Sequence, residues 1–534
     1  MRNFFFLFTF LSSALSYSYN VTTESQYKNA LIEEFTGIYC SYCPQGHKIA
    51  SDLMLYHPSR VYAVAIHAGY FAQAVYGDPD FRVDEGEEIN DFFGISSYPS
   101  GDVNRRSFDG SVVLSRSVWG ECCSIVAAET APVNLLVSAS YDAATALLTV
   151  EVEGYFVEAM DSARLSVMLL QNDVMGPQTG GQLGDEYMHQ HMLRDIISDT
   201  WGDEIADTGQ GSYFTASYSY AVPDSIGDVA VVVSDLEIVA FVAEGKENIV
   251  QVTGTYPTVI GVDVPFKADI EASLLTLKKG YAFDFIEVYL KNKCDEDITS
   301  ATFDITLNGT TEQAEWSGTA PSHANTLIRV PLPDTWKEVQ SMDDNSYSVE
   351  IVSANGNVLN VDDLDGEFDA IGTLPTELVF KITTDDFADD NTFHILDEEG
   401  NIVHEFGPYA NGGAATYEET VSLNDGAIYC FEVTDAWGNG IYSPRGSVKV
   451  YDSNGTIKMQ QTEIEDYGYR YFFVADATLG IGTLCVDDSD DGYTLFSLSG
   501  VEVAHGSGDV ANSGVQKGVY VVKRAGGAER IVIR

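Results

Sequence analysis

Glu34-Phe35-Thr36-Gly37-Ile38-Tyr39-Cys40-Ser41-Tyr42-Cys43-Pro44 decides how the rest of the chain is read. An apolar strand, Ala30 to Phe35, runs into a loop, two cysteines and then a helical pattern. Pro44 to Tyr56 is expected to form a helix with Ile49, Leu53 and Tyr56 on one face. Pro44 suits a first turn, because the N–H that proline lacks would have no partner there. Two residues between the cysteines let one turn bring both sulfurs into bonding range. Cys40 is expected at the helix N-terminus, where the dipole and free amides stabilise a thiolate. Cys43 is expected to be the more buried, resolving thiol.

Working outward, Val61 to Ile66 reads as a short strand, Asp84 to Phe93 as a second helix and Leu114 to Ala128 as a third. Tyr98-Pro99 stands between the second helix and a strand candidate, Asp102 to Arg105. Helices interleaved with strands predict an α/β head over residues 19–130. A CxxC has three chemical readings. It is half a zinc site, a structural disulfide or a redox pair. No second CxxC and no suitably spaced histidine pair accompanies it. The order strand, CxxC, helix, strand, helix, proline, strand, helix resembles the thioredoxin-like fold. That resemblance implies a cis proline at Pro99 facing the cysteines, with Tyr98 and Pro99 docking a substrate backbone. Cys122 and Cys123, adjacent on the third helix, point about 100° apart. At least one is expected to be a buried thiol, and a resolving role toward Cys40 is the alternative.

The chain has 534 residues, enough for roughly three to five domains. Its 45% hydrophobic content supports real cores. Acidic residues outnumber basic ones 81 to 28, for a net charge of −53, which repels phosphate backbones and argues against nucleic acid as a partner. Arg2, the apolar run Phe4 to Leu11, and Ala14-Leu15-Ser16 or Ser16-Tyr17-Ser18 have the form of a signal peptide over residues 1–18. The run is too short to span a membrane, and no cysteine follows it to suggest a lipid anchor. Export into a compartment that tolerates disulfides is expected. Seven cysteines, Cys40, Cys43, Cys122, Cys123, Cys294, Cys430 and Cys485, are few for this length and odd in number. They do not read as a disulfide scaffold.

Glu33 to Pro44, Ser97-Tyr98-Pro99 with Asn104-Arg105, and Tyr187 to Arg194 resemble the outer-membrane-protein-28-related family of Bacteroidota. The resemblance covers about the first 250 residues. It implies a thioredoxin-like domain followed by a β-sandwich over 131–257, and an outer-membrane setting. His189 and His191, two apart, would share one face of a strand. They read as a metal-binding pair, with Asp185 and Asp195 near, or as a hydrogen-bonded pair beside Arg194.

From Ala131 onward the pattern is strand after strand. Asn134 to Ser140, Ala146 to Glu153 and Leu165 to Gln171 come first. Pro257 to Gly261 and Gly372 to Pro375 look like linkers. They delimit an immunoglobulin-like sandwich over 258–372 and another sandwich over 373–477. In the latter, Asp435-Ala436-Trp437-Gly438-Asn439-Gly440 resembles an Asp-x-x-Gly-Asp-Gly loop. Asp435 and Asn439 offer hard oxygens that suit calcium, and a plain turn is the other reading. Tyr493 to Val503, Lys517 to Lys523 and the end Arg530 to Arg534 make residues 478–534 resemble the type A C-terminal sorting domain of the type IX secretion system. That implies a transport address, a secretion machinery as partner, and cargo released or attached at the outer surface. The predicted whole is multi-domain, α/β plus all-β: a thioredoxin-like head, three β-sandwich domains and a small β sorting domain. Two functions follow. One is a surface thiol-disulfide oxidoreductase acting on protein or peptide thiols, with Cys40 attacking and Cys43 resolving. The other is a non-enzymatic surface binding protein or adhesin with a structural disulfide. No Gly-x-Ser-x-Gly or His-Glu-x-x-His motif points to a hydrolase.

Overall fold

The computed structural model describes residues 19–534 except 76, 274–282, 335, 337–344, 386, 439, 443–445, 465–466, 480–491, 498–500, 508–514, 516–517, 525–526 and 534. The expected signal peptide (1–18), Asn439 and Cys485 lie outside the described residues. The chain divides into two compact units, Met1–Phe266 and Lys267–Arg534.

The first unit opens with β1 (Ala30–Thr36), α1 (Cys43–Tyr56), β2 (Val61–His67), α2 (Asp84–Phe93), β3 (Ser100–Val103) and α3 (Trp119–Ala127). β1 pairs in parallel with β2 and antiparallel with β3. α2 occupies the range its periodicity predicts. It ends at Gly94, whose left-handed φ of 65° caps it. The third helix is shorter than Leu114 to Ala128. Leu114 is used instead in a two-way backbone bridge with Gly101, so regular helix starts only at Trp119.

The chain continues through β4 (Val133–Asp142), β5 (Leu147–Phe156), β6 (Arg164–Gln171), β7 (Val174–Gly176), β8 (Tyr187–His189), β9 (Met192–Ile196), β10 (Asp203–Glu204), β11 (Tyr213–Ala221), β12 (Ser225–Ile226), β13 (Val229–Ala230), β14 (Leu236–Glu244), β15 (Glu247–Thr255) and β16 (Thr258–Ile260). One sheet runs β15-β14-β6-β9-β2-β1-β3, with β10 on β6. The strands of the head and those after residue 131 are therefore continuous, joined where Ala65 of β2 meets Met192 of β9. The boundary expected near residue 130 is a connection within one sheet.

That continuity explains the apolar runs of β6 and β14, which are buried on both faces. Leu165, Val167 and Leu169 of β6, with Ile238, Ala240 and Val242 of β14, pack against a second sheet, β11-β5-β4-β16. Met168, Leu170, Val239 and Phe241 face the other way, onto Leu31, Phe35, Val64 and Ile66 of the head. A buried ion pair ties the two parts together. Arg105 Nε and Nη2 donate to Glu33 at 2.5 and 2.6 Å, and the guanidinium lies over the rings of Phe241 and Trp201. Residues 257–261 are not a free linker, because β16 completes the second sheet in parallel with β4.

The second unit is all-β among its described residues. Ala268–Ala272, Phe285–Asn292 and Asn325–Pro331 form one sheet, and a five-stranded sheet centres on Ile298–Leu307 and Asn345–Ala354. A second sandwich closes around Phe380, Phe393, Phe431 and Phe473. Gly372–Pro375, expected as a linker, is an edge strand of this sandwich, parallel to Gly468–Asp476. Residues Gly492–Phe496, Glu502–Ser507, Gly518–Arg524 and Gly527–Ile533 make a four-stranded antiparallel sheet.

Candidate functional site

β1 delivers the chain into the loop 37–42, which is held by its own turns. Cys40 N–H donates to Gly37 O at 3.0 Å and Cys43 N–H to Cys40 O at 3.3 Å. Tyr39 N–H donates to Phe71 O at 3.0 Å, and a Cβ on Gly37 would strike the Phe71 backbone. Cys40 and Cys43 form a disulfide with a Cα–Cα distance of 5.4 Å. α1 starts at Cys43, so Cys40 stands a turn ahead of the helix rather than at its first residue. Cys40 is only 2% exposed and Cys43 is fully buried. The expected contrast between an open and a buried sulfur is therefore absent from this state.

Beneath α1 lies Glu34. Neighbouring strand residues point to opposite faces, so Glu33 serves the Arg105 pair while Glu34 turns toward the cysteine helix. A Cβ on Gly46 would overlap Glu34 Oε1 and come within 3.1 Å of Pro99 Cβ. Glycine there lets α1 lie on both the carboxyl and the proline. Glu34 Oε1 has no hydrogen-bond partner among the described residues, and burial raises its pKa well above the ordinary value, against the opposing pull of Arg116. The Tyr98–Pro99 bond is cis. Tyr98 Oη donates to Asn90 Oδ1 at 2.6 Å and its ring abuts Phe71.

Three histidines cluster here, His47 beside this carboxyl, His189 against His47 and His67 against His189, and no sequence pattern joins them to the cysteines. His47, one turn after Cys43, has Nε2 2.8 Å from Thr36 Oγ1 and 3.9 Å from Glu34 Oε1. Its Nδ1 is 2.8 Å from Tyr187 Oη. Burial, then the neighbouring His189, lowers its pKa to about 3. His67, at the end of β2, packs 5.2 Å from both Phe81 and His189, and neither of its nitrogens has a hydrogen-bond partner among the described residues. Burial is the main cause that lowers it well below the usual histidine range. Burial also brings His189 to about 4, against a 3.3 Å contact with Pro177 O. All three are neutral near pH 7. Among the described residues no group of three His, Cys, Asp or Glu is placed to hold a metal ion.

His189 and His191 do not share a strand face. β8 ends at His189, and His191 sits in the following turn with φ 50°. His191 Nδ1 instead meets Glu237 Oε2 at 2.8 Å, while Arg194 bonds Gln171 Oε1 and the carbonyls of Ile226 and Val229. Gln178, in the hairpin between β7 and β8, reaches the cysteine loop. Its Nε2 donates to Cys40 O at 3.0 Å and to Gly37 O at 3.3 Å. Thr179 N–H adds a bond to Ile38 O at 2.8 Å. Nothing in a lone glutamine about 135 residues downstream of the CxxC marks it for this role.

Cys122 and Cys123 are both free and buried, and burial pushes the Cys122 thiol up to about 12. Cys294 and Cys430 are also free and buried. In the second unit Asp435 organises its own turn. Oδ1 accepts from Trp437 N–H and Gly438 N–H, and Oδ2 from Gly440 N–H, at 2.7–2.8 Å. The nearby Asp390 is raised to about 8 by burial and then by Asp435, Asp385 and Asp389.

Residues 87–259 match the family model described as outer membrane protein Omp28. The match starts beyond Cys40 and Cys43. No curated protein matches the chain. Among solved structures, HBP35 of Porphyromonas gingivalis is similar at 17% identity over 65% of this chain and 99% of its own, with a TM-score of 0.35. A domain of the outer membrane lipoprotein Omp28 from the same organism is similar at 22% identity over 24% of this chain and 90% of its own, with a TM-score of 0.18. The likeness to the Omp28 family is thus carried by residues 87–259, about a third of the chain.

Proposed function

We propose that the first unit is a thioredoxin-like thiol–disulfide exchange head on an exported outer-membrane or surface protein. The observation that carries this reading is the setting of the Cys40–Cys43 pair. It opens α1 above a buried, proton-holding Glu34, with Pro99 packed against the same helix at Gly46. Family likeness over residues 87–259 supports the location. The small four-stranded sheet at the C-terminal end has the position and length of a type IX sorting domain, which would make that machinery a partner.

In the dithiol state, the Cys40 thiolate attacks one sulfur of a substrate disulfide and releases the other as a thiolate. The product is a mixed disulfide on Cys40. Glu34 first releases its proton to solvent; Cys43 then gives its own proton to the resulting carboxylate and attacks Cys40 Sγ, expelling the substrate's second thiolate. Two electrons pass to the substrate, and the protein is left with the Cys40–Cys43 disulfide. The reverse sequence oxidises a substrate dithiol. A raised Glu34 pKa brings this carboxyl closer to the thiol it serves, which suits proton transfer.

The 2% exposure of Cys40 favours the second reading, a structural disulfide in a surface binding protein. Redox titration of the mature chain, with Cys40→Ser and Cys43→Ser variants, separates the two. Exchange predicts a Cys40-dependent couple at roughly −120 to −270 mV and a mixed disulfide trapped on Cys43→Ser. A couple below about −300 mV, with nothing trapped, removes the exchange reading.

A further inference from the structure

A disulfide is opened by a thiolate arriving in line with the S–S bond, so the attacked sulfur must be reachable. Cys40 at 2% exposure is not. What lies over the cysteine loop is the tip of the β7–β8 hairpin. The carbonyls of Gly37, Ile38 and Cys40 all accept hydrogen bonds from Gln178 or Thr179. Gly180 lies so close to Ser41 O that a Cβ there would collide with it. A fourth tie runs from Tyr187 Oη to His47 Nδ1 on α1.

The hairpin is fastened very differently at its two ends. At the root, Asp173 and Gln190 exchange two hydrogen bonds, and His191 is held by Glu237 and Asn172 Oδ1. Val174 there packs with Ile38, Phe81 and Met192. At the tip the sequence is Pro177-Gln178-Thr179-Gly180-Gly181-Gln182-Leu183-Gly184, with three glycines in eight residues. Gly180 and Gly184 use positive φ, at 81° and 58°. Thr179, Gly180 and Gln182 to Glu186 are exposed. A pinned root with a polar, glycine-rich tip is the construction of a flap. Among the described residues, the hydrogen bonds that tie the tip to anything outside its own hairpin are those to the cysteine loop and α1.

We propose that the hairpin tip, residues 177–187, is a lid latched onto the cysteine loop by Gln178, and that it gates access to the Cys40–Cys43 disulfide. The lid regulates the site proposed above and rests on that reading for its biological use. Its existence is tested without reference to turnover. Closed, it hides Cys40 from a protein thiol. Opening requires release of the Gln178 and Thr179 bonds, and it frees the three carbonyls of the loop that precedes α1. A substrate backbone laid over the same loop would compete with the lid for those acceptors, so docking and opening would be one event. Gln178 is thus a positioning residue that holds the loop and does not touch the sulfurs' chemistry.

The test is the rate at which reduced dithiothreitol opens the disulfide in the oxidised mature chain, for wild type, Gln178→Ala and Tyr187→Phe. Losing the latch is expected to speed reduction about tenfold for Gln178→Ala, the effect of one to two hydrogen bonds, and less for Tyr187→Phe. Equal rates in all three overturn the lid. Because a variant can misfold, amide hydrogen exchange of the unaltered chain provides a second reading. Thr179 N–H should exchange through local opening, far faster than the amides of β6. Exchange of Thr179 only with global unfolding overturns the lid as well. A faster Gln178→Ala disulfide in a protein that never traps a substrate would keep the lid and remove the exchange function.

Discussion

His67 shows what a single buried imidazole does to the stability of the first unit. Unfolded, each of His47, His67 and His189 takes up a proton near pH 6.5. Folded, His47 and His189 do so only near 3 and 4, and His67 is also lowered. Between those values the unfolded chain binds more protons, so stability rises with pH and is lost on acidification from about pH 6.5 downward. Each histidine contributes a slope of about 1.4 kcal/mol per pH unit in that window. Glu34 acts in the opposite sense. Its raised pKa gives stability that is full below about pH 4.3 and is lost as pH climbs through the folded value. His67→Phe keeps an aromatic ring beside Phe81 and removes one titrating group. Urea unfolding between pH 5 and 6.5 should then show a slope lower by about one proton. An unchanged slope would mean that His67 is already protonated in the fold. The cysteine pair could be found from spacing, because two sulfurs three apart are a local pattern, and Pro99 from the resemblance to the thioredoxin-like fold. His67 and Gln178 could not, because their partners are supplied by sheet pairing and a hairpin that no local period encodes.

At the scale of elements, helices α1 and α2 and most strands follow from periodicity, while the two expected linkers became strands. Thr258–Ile260 and Gly372–Pro375 each carry a proline at one edge and β-branched or apolar residues beside it. Proline is tolerated on an edge strand, so the same letters serve as linker or as last strand. What decides is whether a sheet edge waits nearby, and only the fold supplies that. The sandwich closed by the second of these strands carries an electrostatic cost at Asp390. Its carboxyl, raised to about 8, stabilises the fold most below the unfolded value of about 3.9, and that stability is lost as pH rises toward 8. Asp390→Asn should raise the melting temperature of the second unit at pH 8 and change it little at pH 5. After allowing for solvent screening of a half-exposed group, the gain at pH 8 is about 1–2 kcal/mol. Equal effects at both pH values would contradict crowding by Asp435, Asp385 and Asp389.

For the whole molecule, the signal that misleads is the change of texture near residue 130, where helices stop. Composition divides the chain there, yet the sheet does not. The buried Glu33–Arg105 pair under Phe241 could not have been anticipated either, since it spans β1, the turn after β3 and β14. Breaking such a pair by removing one partner strands a charge and costs several kcal/mol. In the second unit Arg470 plays a comparable part, reaching Glu432 at 2.6 Å and Glu287 at 2.8 Å.

The pairing of β2 with β9 also sets an order of events while the protein is being made. A chain that emerges from its N-terminus first presents β2, buried along nearly its whole length in the finished fold, about 125 residues before β9 exists to cover its edge. During that interval the head is a sheet with an open, apolar rim, the kind of surface that neighbouring chains add to. If the chain is exported as proposed, it meets this interval unfolded, and holding it extended until residues 192–255 have arrived would protect it. Residues 19–130 alone should therefore self-associate, whereas residues 19–266 should stay monomeric by light scattering. A monomeric, folded 19–130 fragment would show that the head closes without its late partner.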